Sequence, residues 1–196
     1  LWRLGTEHNF AVDATEDASV FTPQMLDRYD VVVFLSTTGD ILDEAQQNAF
    51  ESYIRKGGGF VGIHAAADTE YDWPWFGRLV GAYFESHPQQ QDADLVVEDR
   101  THPSTGHLPE RWRRWDEWYN YLENPRPHVH VLMTLDEKSY EGGKMPADHP
   151  ISWYNMHDGG RAELAAAARG IAAAERVRRR PSPRTSASAR LASLAR

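Results

Sequence analysis

Two apolar runs joined by a helical segment constrain the fold of this chain more than any other feature. Val31–Leu35 and residues 60–63 are uninterrupted apolar runs, mostly of β-branched and aromatic residues. This pattern is typical of strands buried on both faces. Between them, apolar residues of segment 42–54 recur at spacings of three and four, as in an amphipathic helix, and glycines 57–59 end it. This strand, helix and strand form a βαβ unit, which predicts a doubly wound α/β sheet with helices on both faces.

Capping and turn signals predict the remaining elements. Thr22 precedes a proline and can cap a short helix, and Asp43 with Gln46 has capping-box spacing. An aromatic helix is predicted over residues 73–80, and β-formers between turn signals predict four strands at 93–98, 114–121, 129–135 and 151–156. Because sheets of this class usually have five or more strands, we expect that an initial strand and a final strand plus helix are missing.

Composition excludes several classes of protein. The 196 residues are 41% hydrophobic and 11% aromatic, which is enough for one domain with a substantial core. No apolar run approaches the roughly eighteen residues that a membrane helix needs, so no membrane partner is expected. The absence of cysteine excludes a disulfide scaffold, a thiolate metal site and a cysteine nucleophile, but it leaves the cellular compartment open.

The charge divides the chain into two parts. Residues 161–196 contain nine Arg and two Glu and carry +7; since the whole chain carries −8, residues 1–160 carry −15. All Trp, Tyr and Phe residues lie in the first part. We therefore predict an α/β domain over residues 1–160 and an Ala/Arg-rich disordered tail over 161–196, because the tail has too little apolar surface to offset its chain entropy.

Three interpretations of this tail remain open. The abrupt change of composition after Arg161, to a segment without Lys, is typical of out-of-frame translation of a GC-rich message. A solvated tail without a role is the second interpretation. The third is a basic arm that binds nucleic acid or an acidic surface, but the acidic domain would repel phosphates, so no nucleic-acid partner is expected.

Polar residues follow both strands of the βαβ unit. Thr37, Thr38 and Asp40 follow the first strand, and His64 and Asp68 follow the second. Ligands of open α/β sheets bind beyond the carboxyl ends of the strands, so these residues are candidates for binding a substrate. The alternative for the first loop is an ordinary loop with a helix cap.

His64 is the strongest catalytic candidate. It stands at a strand end between Gly62 and three alanines, and small neighbours of this kind allow the sharp turn of a nucleophile elbow. An imidazole there can act as general acid or base, as a metal ligand or as a hydrogen-bond donor to a substrate oxygen. The alternative is a structural histidine whose hydrogen bonds go to the backbone.

Glu117 is the second catalytic candidate. Adjacent residues of a strand face opposite ways, so only one of Asp116 and Glu117 can enter a given pocket, and we favour Glu117 as the base or sugar-hydroxyl acceptor. Trp118 and the other aromatic residues nearby suit carbohydrate, because sugar faces stack on rings. Ion pairing with Arg113 or Arg114, and aromatic packing in a core, are the alternatives.

Two further histidines, His87 and His149, are candidates for substrate binding. Each precedes a proline, which holds it extended and fixes its direction. Rigidity of the loop alone also explains these His-Pro pairs. The nine histidines form no compact metal-binding signature, so we predict neither a metal site nor another cofactor.

Three motifs carry a resemblance to a known family. The stretches GGGFVGIHAAAD (57–68), DEWY (116–119) and DHPISW (148–153) resemble the ThuA-like, trehalose-utilisation family, and the similarity covers roughly residues 29–161. The resemblance implies the class I glutamine amidotransferase-like fold, a flavodoxin-like three-layer sandwich with a mostly parallel sheet, here truncated at both ends. Those amidotransferases carry a cysteine at the elbow where this chain has His64, so amidotransferase activity is not expected.

The resemblance also implies a role with carbohydrates. Family members are associated with the utilisation of trehalose and related keto-glycosides, so the expected partner is a small carbohydrate bound at the strand ends. A non-catalytic carbohydrate-binding or scaffold module of a larger protein is the alternative, and a metal-dependent hydrolase is the third possibility. The sequence leaves open whether the chain is an enzyme, its oligomeric state, and whether it is cytoplasmic or secreted.

Overall fold

A computed structural model describes residues 1–165 and the backbone of residues 189–195. Four helices lie in this part of the chain: α1 (Trp2–His8), α2 (Pro23–Leu26), α3 (Glu44–Arg55) and α4 (Pro74–Val80). Short 3₁₀ turns cover Ala18–Val20, His64–Asp68 and Arg126–His128. The strands are β1 (Phe10–Thr15), β2 (Val31–Leu35), β3 (Gly59–Ile63), β4 (Phe84–Ser86), β5 (Gln91–Val97), β6 (Arg111–Asp116), β7 (Asn120–Tyr121), β8 (His130–Leu135), β9 (Pro150–His157), β10 (Gly160–Ala165) and β11 (Ala189–Ala195).

Nine of these strands form one mixed sheet in the order β1-β11-β2-β3-β10-β9-β8-β5-β6, and β4 pairs with β7 separately. The pairings from β1 to β10 are parallel, whereas those from β10 to β6 are antiparallel. The predicted α/β three-layer fold is confirmed. The parallel arrangement holds for the half of the sheet that contains β2 and β3, because β5, β6, β8 and β9 follow one another without the helical crossovers that parallel strands need.

The predicted βαβ unit forms the centre of the fold. Residues 31–34 of β2 are buried, as expected for a central strand with both faces covered. Helix α3 turns Ala49, Phe50, Tyr53 and Ile54 into the main core, where the ring of Phe34 stacks on that of Phe50. Gly57 adopts φ +95° just after the helix, a conformation that favours glycine. The spacing of apolar residues in the sequence thus specifies which face of α3 meets the sheet.

The predicted capping box at the start of α3 is also present. The Asp43 carboxylate accepts a hydrogen bond from the Gln46 amide at 2.9 Å, and the Gln46 side chain accepts one from the Asp43 amide at 2.8 Å. The predicted cap of α2 forms in the same way, since the Thr22 hydroxyl accepts a hydrogen bond from the Met25 amide at 3.3 Å. These caps satisfy amides that the first turn of a helix leaves without partners.

Replacement of Asp43 by alanine is expected to lower the free energy of unfolding by about 1 kcal/mol, because the Gln46 amide loses its acceptor. Urea unfolding followed by circular dichroism measures this change. Asn48→Ala, an exposed substitution in the middle of the same helix, is the control and should not destabilise the protein. An unchanged midpoint for Asp43→Ala would contradict the assigned role of the cap.

Two parts of the predicted tail are folded, so the prediction of a disordered segment over 161–196 is wrong for them. β10 extends the folded part to residue 165 and pairs with β3 and β9, and Ala162 and Leu164 are buried in the main core. The backbone of β11 pairs with β1 on one side and β2 on the other. Apolar residues at alternate positions suffice for β10 to join the sheet. The remainder of the predicted tail, residues 166–188 and 196, lies outside the described residues.

The predicted strand over 114–121 is divided in two. β6 ends at Asp116 and β7 begins at Asn120, so residues 117–119 form a connection between them. The break after Asp116 places the side chains of residues 117–119 in different environments, and these environments determine the geometry of the site.

Within the described residues, no helix has the length and apolar character required to cross a membrane.

Candidate active site

His64 lies at the carboxyl end of β3 in a left-handed backbone conformation, with φ 55°. This conformation is uncommon for a residue with a side chain and turns the chain sharply out of the strand. Small neighbours make the turn possible: a Cβ on Gly62 would lie 2.7 Å from Leu164 Cδ1 and 3.1 Å from Ala66 Cβ. The turn leaves the His64 side chain 16% exposed at the strand end.

Glu117 lies between two imidazoles. Its Oε2 is 3.4 Å from His64 Nε2, and its Oε1 is 3.6 Å from His87 Nε2. The Glu117 side chain is 20% exposed, so this carboxylate is partly shielded from water yet open to a ligand. His87 Nδ1 donates to the Pro88 carbonyl oxygen at 2.8 Å, which fixes the ring with Nε2 toward the carboxylate. The structure therefore brings together both predicted catalytic residues and one predicted binding residue.

The neighbouring Asp116 has a different role. Its carboxylate forms a buried ion pair with Arg114 at 3.0 Å and accepts a hydrogen bond from the Glu117 amide at 3.0 Å. Ion pairing with an arginine was the alternative role for these two acids. Asp116 forms that pair, with Arg114, and Glu117 faces the histidines. Asp116 holds the backbone at the point where β6 ends and so helps to orient Glu117.

Tyr119 packs against both histidines of the site. Its ring centroid is 4.5 Å from that of His64, 4.4 Å from that of Phe84 and 6.1 Å from that of His87. Its hydroxyl lies 3.0 Å from His64 Nδ1. Burial, together with the nearby Glu117 carboxylate, raises the pKa of Tyr119 well above its usual value, so the phenol keeps its proton. Sequence reasoning noted Tyr119 only as part of an aromatic run.

The loop after β2 buries its first threonine and exposes Thr38 and Asp40. The Thr37 side chain is fully buried, and its hydroxyl lies 2.9 Å from that of Thr69, which in turn donates to the Thr37 carbonyl oxygen at 2.8 Å. These bonds connect the two loops and leave the Thr37 hydroxyl away from any ligand, which corrects its predicted binding role. Thr38 and Asp40 are exposed, as a binding role would require.

Asp68 ends the turn that begins with His64. Its carboxylate accepts a hydrogen bond from the Tyr71 hydroxyl at 2.7 Å, and the same hydroxyl lies 2.7 Å from the Phe84 carbonyl oxygen. Asp68 is half-buried, whereas the Tyr71 residue is 39% exposed. Asp68 therefore remains available at the edge of the cleft, held in place by a tyrosine that the sequence analysis did not select.

Two predicted binding residues are buried behind the cleft. His149 is fully buried: its Nε2 donates to the Tyr119 carbonyl oxygen at 2.8 Å, and its Nδ1 lies 2.5 Å from Glu137 Oε1. Trp118 is 1% exposed, and its indole N–H donates to the Gln91 carbonyl oxygen at 2.8 Å. Neither side chain can touch a ligand in the cleft, so the prediction that they bind substrate is corrected. Both instead anchor the 117–119 connection from inside.

Glu70 is the principal structural residue that sequence reasoning missed. Its buried carboxylate accepts hydrogen bonds from the amides of Ile41 and Leu42 at 2.7 and 2.8 Å and from the Gln47 side chain at 2.7 Å. It therefore ties the turn after β3 to the start of α3. The sequence gives no signal for this contact, because the partners lie more than twenty residues away in a loop of otherwise ordinary composition.

A separate cavity of about 480 Å³ shares no residue with this cleft. It is lined by Glu98, Asp99, Arg126, Val129, His130 and Val131. Its charged groups already pair with one another, since Arg126 contacts Glu98 at 2.8 Å and His130 contacts Asp99 at 2.9 Å. The chemistry of the Glu117 cleft, with one carboxylate between two imidazoles, makes it the better candidate site. Within residues 1–165 and 189–195, no group of three or more His, Cys, Asp or Glu residues is arranged to hold a metal ion.

Comparisons with known proteins identify relatives of this chain by sequence and fold. A family model described as trehalose utilisation, ThuA, matches residues 1–166. A ThuA-like protein from Bacteroides uniformis is 29% identical, with a TM-score of 0.71 over 85% of this chain and 71% of its own. A ThuA-like protein from Parabacteroides merdae is 23% identical, with a TM-score of 0.64 over 80% of this chain and 65% of its own.

The fold also occurs inside a larger enzyme. A β-galactosidase from Rahnella sp. R3 is 16% identical, with a TM-score of 0.54 over 84% of this chain but only 23% of that one. At this level of identity the likeness concerns the fold alone. Comparison with curated proteins gives no match.

Proposed function

The chain belongs to the ThuA family, and we propose on this basis that the cleft around Glu117 binds a small carbohydrate, either trehalose or a related keto-glycoside. In this proposal Glu117 accepts a proton from the sugar, and the N–H of His64 donates a hydrogen bond to it; His87 lies on the other side of the carboxylate. Asp68, with Thr38 and Asp40 farther out on the rim, binds hydroxyl groups. Thr37, Trp118 and His149 have no part in ligand contact.

The observation that carries this proposal is the carboxylate of Glu117 placed within 3.6 Å of two imidazoles at the strand ends. A carboxylate and an imidazole in a partly shielded cleft can hold and release protons near neutral pH, which is the requirement for general acid–base catalysis. Burial lowers the pKa of His64, which keeps its ring neutral at pH 7. The ionised carboxylate of Glu117 can therefore accept a proton, while the N–H of neutral His64 donates a hydrogen bond.

The aromatic residues of the cleft support a sugar over a more highly charged ligand. Tyr71 and Phe84 lie beside the polar groups, and the Tyr71 ring stacks on Tyr83 at 4.9 Å. Apolar faces of sugars pack on such rings while their hydroxyls bind carboxylates and imidazoles. The strongly acidic composition of the domain opposes phosphorylated ligands.

The proposal is tested with the full chain by calorimetric titration against trehalose and a 3-keto glucoside, followed by product analysis. We expect saturable binding of at least one of these sugars and slow conversion of it. His64→Asn should reduce turnover by roughly 10²–10³-fold while changing the Kd by no more than about threefold, because the imidazole N–H that stabilises developing charge is lost but a hydrogen-bonding shape is kept.

His128→Asn, at an exposed histidine in the Arg126–His128 turn that makes no contact named for the cleft, is the matched control and should retain full turnover. If neither sugar binds the wild-type protein, the carbohydrate proposal is wrong.

A second candidate is a non-catalytic carbohydrate-binding module of a larger protein. The occurrence of the same fold as a minor part of a β-galactosidase chain favours it. Binding of a sugar without any conversion, in the wild-type protein and in His64→Asn alike, would select this second candidate.

A further inference from the structure

We propose that Tyr119 is a positioning residue that holds neutral His64 with its proton on Nε2, which makes His64 the hydrogen-bond donor of the cleft and Glu117 the proton acceptor. This inference deepens the proposed function, and its catalytic consequence rests on that function. The arrangement of protons itself can be measured without any substrate.

The two ring nitrogens of His64 face chemically different partners. Nδ1 lies 3.0 Å from the Tyr119 hydroxyl, and Nε2 lies 3.4 Å from Glu117 Oε2. An ionised carboxylate only accepts hydrogen bonds, so its approach to Nε2 is favourable when Nε2 carries a proton. A neutral imidazole has one N–H, which leaves Nδ1 as an acceptor. The Tyr119 hydroxyl then donates to Nδ1 at 3.0 Å, in competition with the Glu117 carboxylate, which also interacts with this hydroxyl.

The surroundings keep both rings in the protonation states that this assignment needs. Burial lowers the pKa of His64 and outweighs the opposing effect of the Glu117 and Asp116 carboxylates, while the nearby His87 acts in the same direction as burial. The Tyr119 phenol stays protonated because its pKa is raised by burial. A neutral imidazole and a protonated phenol therefore face each other at neutral pH.

Tyr119 is itself fixed from two sides, as a positioning residue must be. Its ring packs against Phe84 at 4.4 Å and against His64 at 4.5 Å between centroids. Its carbonyl oxygen accepts the hydrogen bond from buried His149, which contacts Glu137. Packing of the ring and this buried support hold the phenol oxygen 3.0 Å from Nδ1, so the tautomer of His64 is set before any ligand arrives.

This arrangement divides the chemistry between the two catalytic candidates. Glu117 accepts a proton from a sugar hydroxyl or from water, and His64 Nε2–H donates its hydrogen bond to a substrate oxygen on which negative charge develops. With the opposite tautomer, Nε2 would present a lone pair to the Glu117 carboxylate, and His64 would have no N–H to donate to the substrate. Because Tyr119 contacts Nδ1, His64 keeps its N–H at Nε2, and Glu117 is the group that accepts the proton.

The test is a long-range ¹H–¹⁵N NMR spectrum of the full chain labelled with ¹⁵N-histidine, with His64 assigned by its absence in His64→Asn. In the wild-type protein we expect protonated Nε2 and unprotonated Nδ1 at neutral pH. In Tyr119→Phe, which keeps the ring, we expect the ratio of the two tautomers to shift toward Nδ1–H by roughly three- to tenfold. The pKa of His64 should rise, because a hydrogen bond to its neutral form is lost.

Tyr71→Phe is the matched control, because it also removes a phenol oxygen from the cleft but one that bonds Asp68 rather than His64. It should leave the His64 spectrum unchanged. Three results would overturn the inference: an Nδ1–H tautomer in the wild-type protein, a fall or no change in the pKa of His64 in Tyr119→Phe, or an equal shift in Tyr71→Phe. The first needs no variant, so a folding defect cannot obscure it.

The NMR experiment tests the positioning role of Tyr119, and the sugar titration tests the carbohydrate function, so either proposal can be wrong without the other. The expected tautomer without sugar binding would leave the positioning role intact and remove the carbohydrate function. Sugar binding and turnover together with the opposite tautomer would support the carbohydrate function and remove the positioning role of Tyr119.

Discussion

Replacement of Glu70 by alanine is expected to lower the free energy of unfolding by roughly 3–5 kcal/mol, a large fraction of the stability of a typical domain. The carboxylate accepts hydrogen bonds from two backbone amides, those of Ile41 and Leu42, and from the Gln47 side chain. Alanine leaves the amides without an acceptor in a buried place, and each such loss costs about 1–3 kcal/mol. Urea unfolding, with the midpoint and slope determined together, measures the change.

Two variants separate the hydrogen bonds of Glu70 from its charge and position. Glu70→Gln keeps one carbonyl oxygen for the amides and should lose less than half as much stability as the alanine variant. Asp72→Ala removes an exposed acid two residues away and should change stability by no more than about 0.5 kcal/mol. If Glu70→Ala is no more destabilising than Asp72→Ala, the carboxylate does not hold the two loops together.

The centre of the fold could be predicted because its signals are local. The apolar run of β2, the spacing of three and four in α3 and the Asp43–Gln46 box each involve residues near one another in sequence. Such patterns report directly on burial and capping. The antiparallel half of the sheet was not predicted as such, since pairing direction depends on how distant segments meet, and the signal for β10 was overridden by the composition of the residues that follow it.

The site could be predicted to the level of strand ends, but not of individual contacts. His64 was selected because Gly62 and the following alanines indicate a sharp turn, and the structure has that turn. Trp118 and His149 were selected by residue type alone. Their burial depends on the break between β6 and β7 and on the distant partners Gln91 and Glu137, none of which has a sequence signal.

The same reasoning explains why Tyr119 and Glu70 were missed. Each acts through a partner far away in sequence: Tyr119 contacts His64 across 55 residues, and Glu70 contacts Leu42 across 28. A tyrosine in an aromatic run and a glutamate in an acidic loop resemble ordinary core and surface residues. Only the folded arrangement shows that one controls an imidazole and the other connects two loops.

Replacement of Glu117 by glutamine is expected to reduce turnover of the sugar identified by titration by roughly 10²–10⁴-fold, because the amide cannot accept a proton. Stability should change little, since Glu117 is partly exposed and Asp116 retains the ion pair that holds the end of β6. Steady-state kinetics measures the loss. Glu123→Gln, at an exposed acid beyond β7, is the matched control and should keep wild-type turnover.

The pH profile gives a second measure of the same substitution. The Glu117 carboxylate raises the pKa of His64 and so opposes the effect of burial. Removing its charge should therefore lower the pKa of His64, which histidine NMR detects even where turnover is too slow to follow. Since the reaction requires neutral His64, the wild-type rate should fall as the pH drops through this pKa, and the residual rate of Glu117→Gln should fall only at lower pH.

These two measurements distinguish a catalytic carboxylate from one that merely helps to bind the sugar. A catalytic Glu117 requires a fall in kcat together with the downward shift of the His64 pKa, while the Kd of the sugar changes by no more than about threefold. A variant with unchanged kcat and a weakened Kd would show that the carboxylate only binds hydroxyl groups. In that case the proton acceptor would have to lie elsewhere in the cleft, and Asp68, the other carboxylate at its edge, would be the next residue to replace.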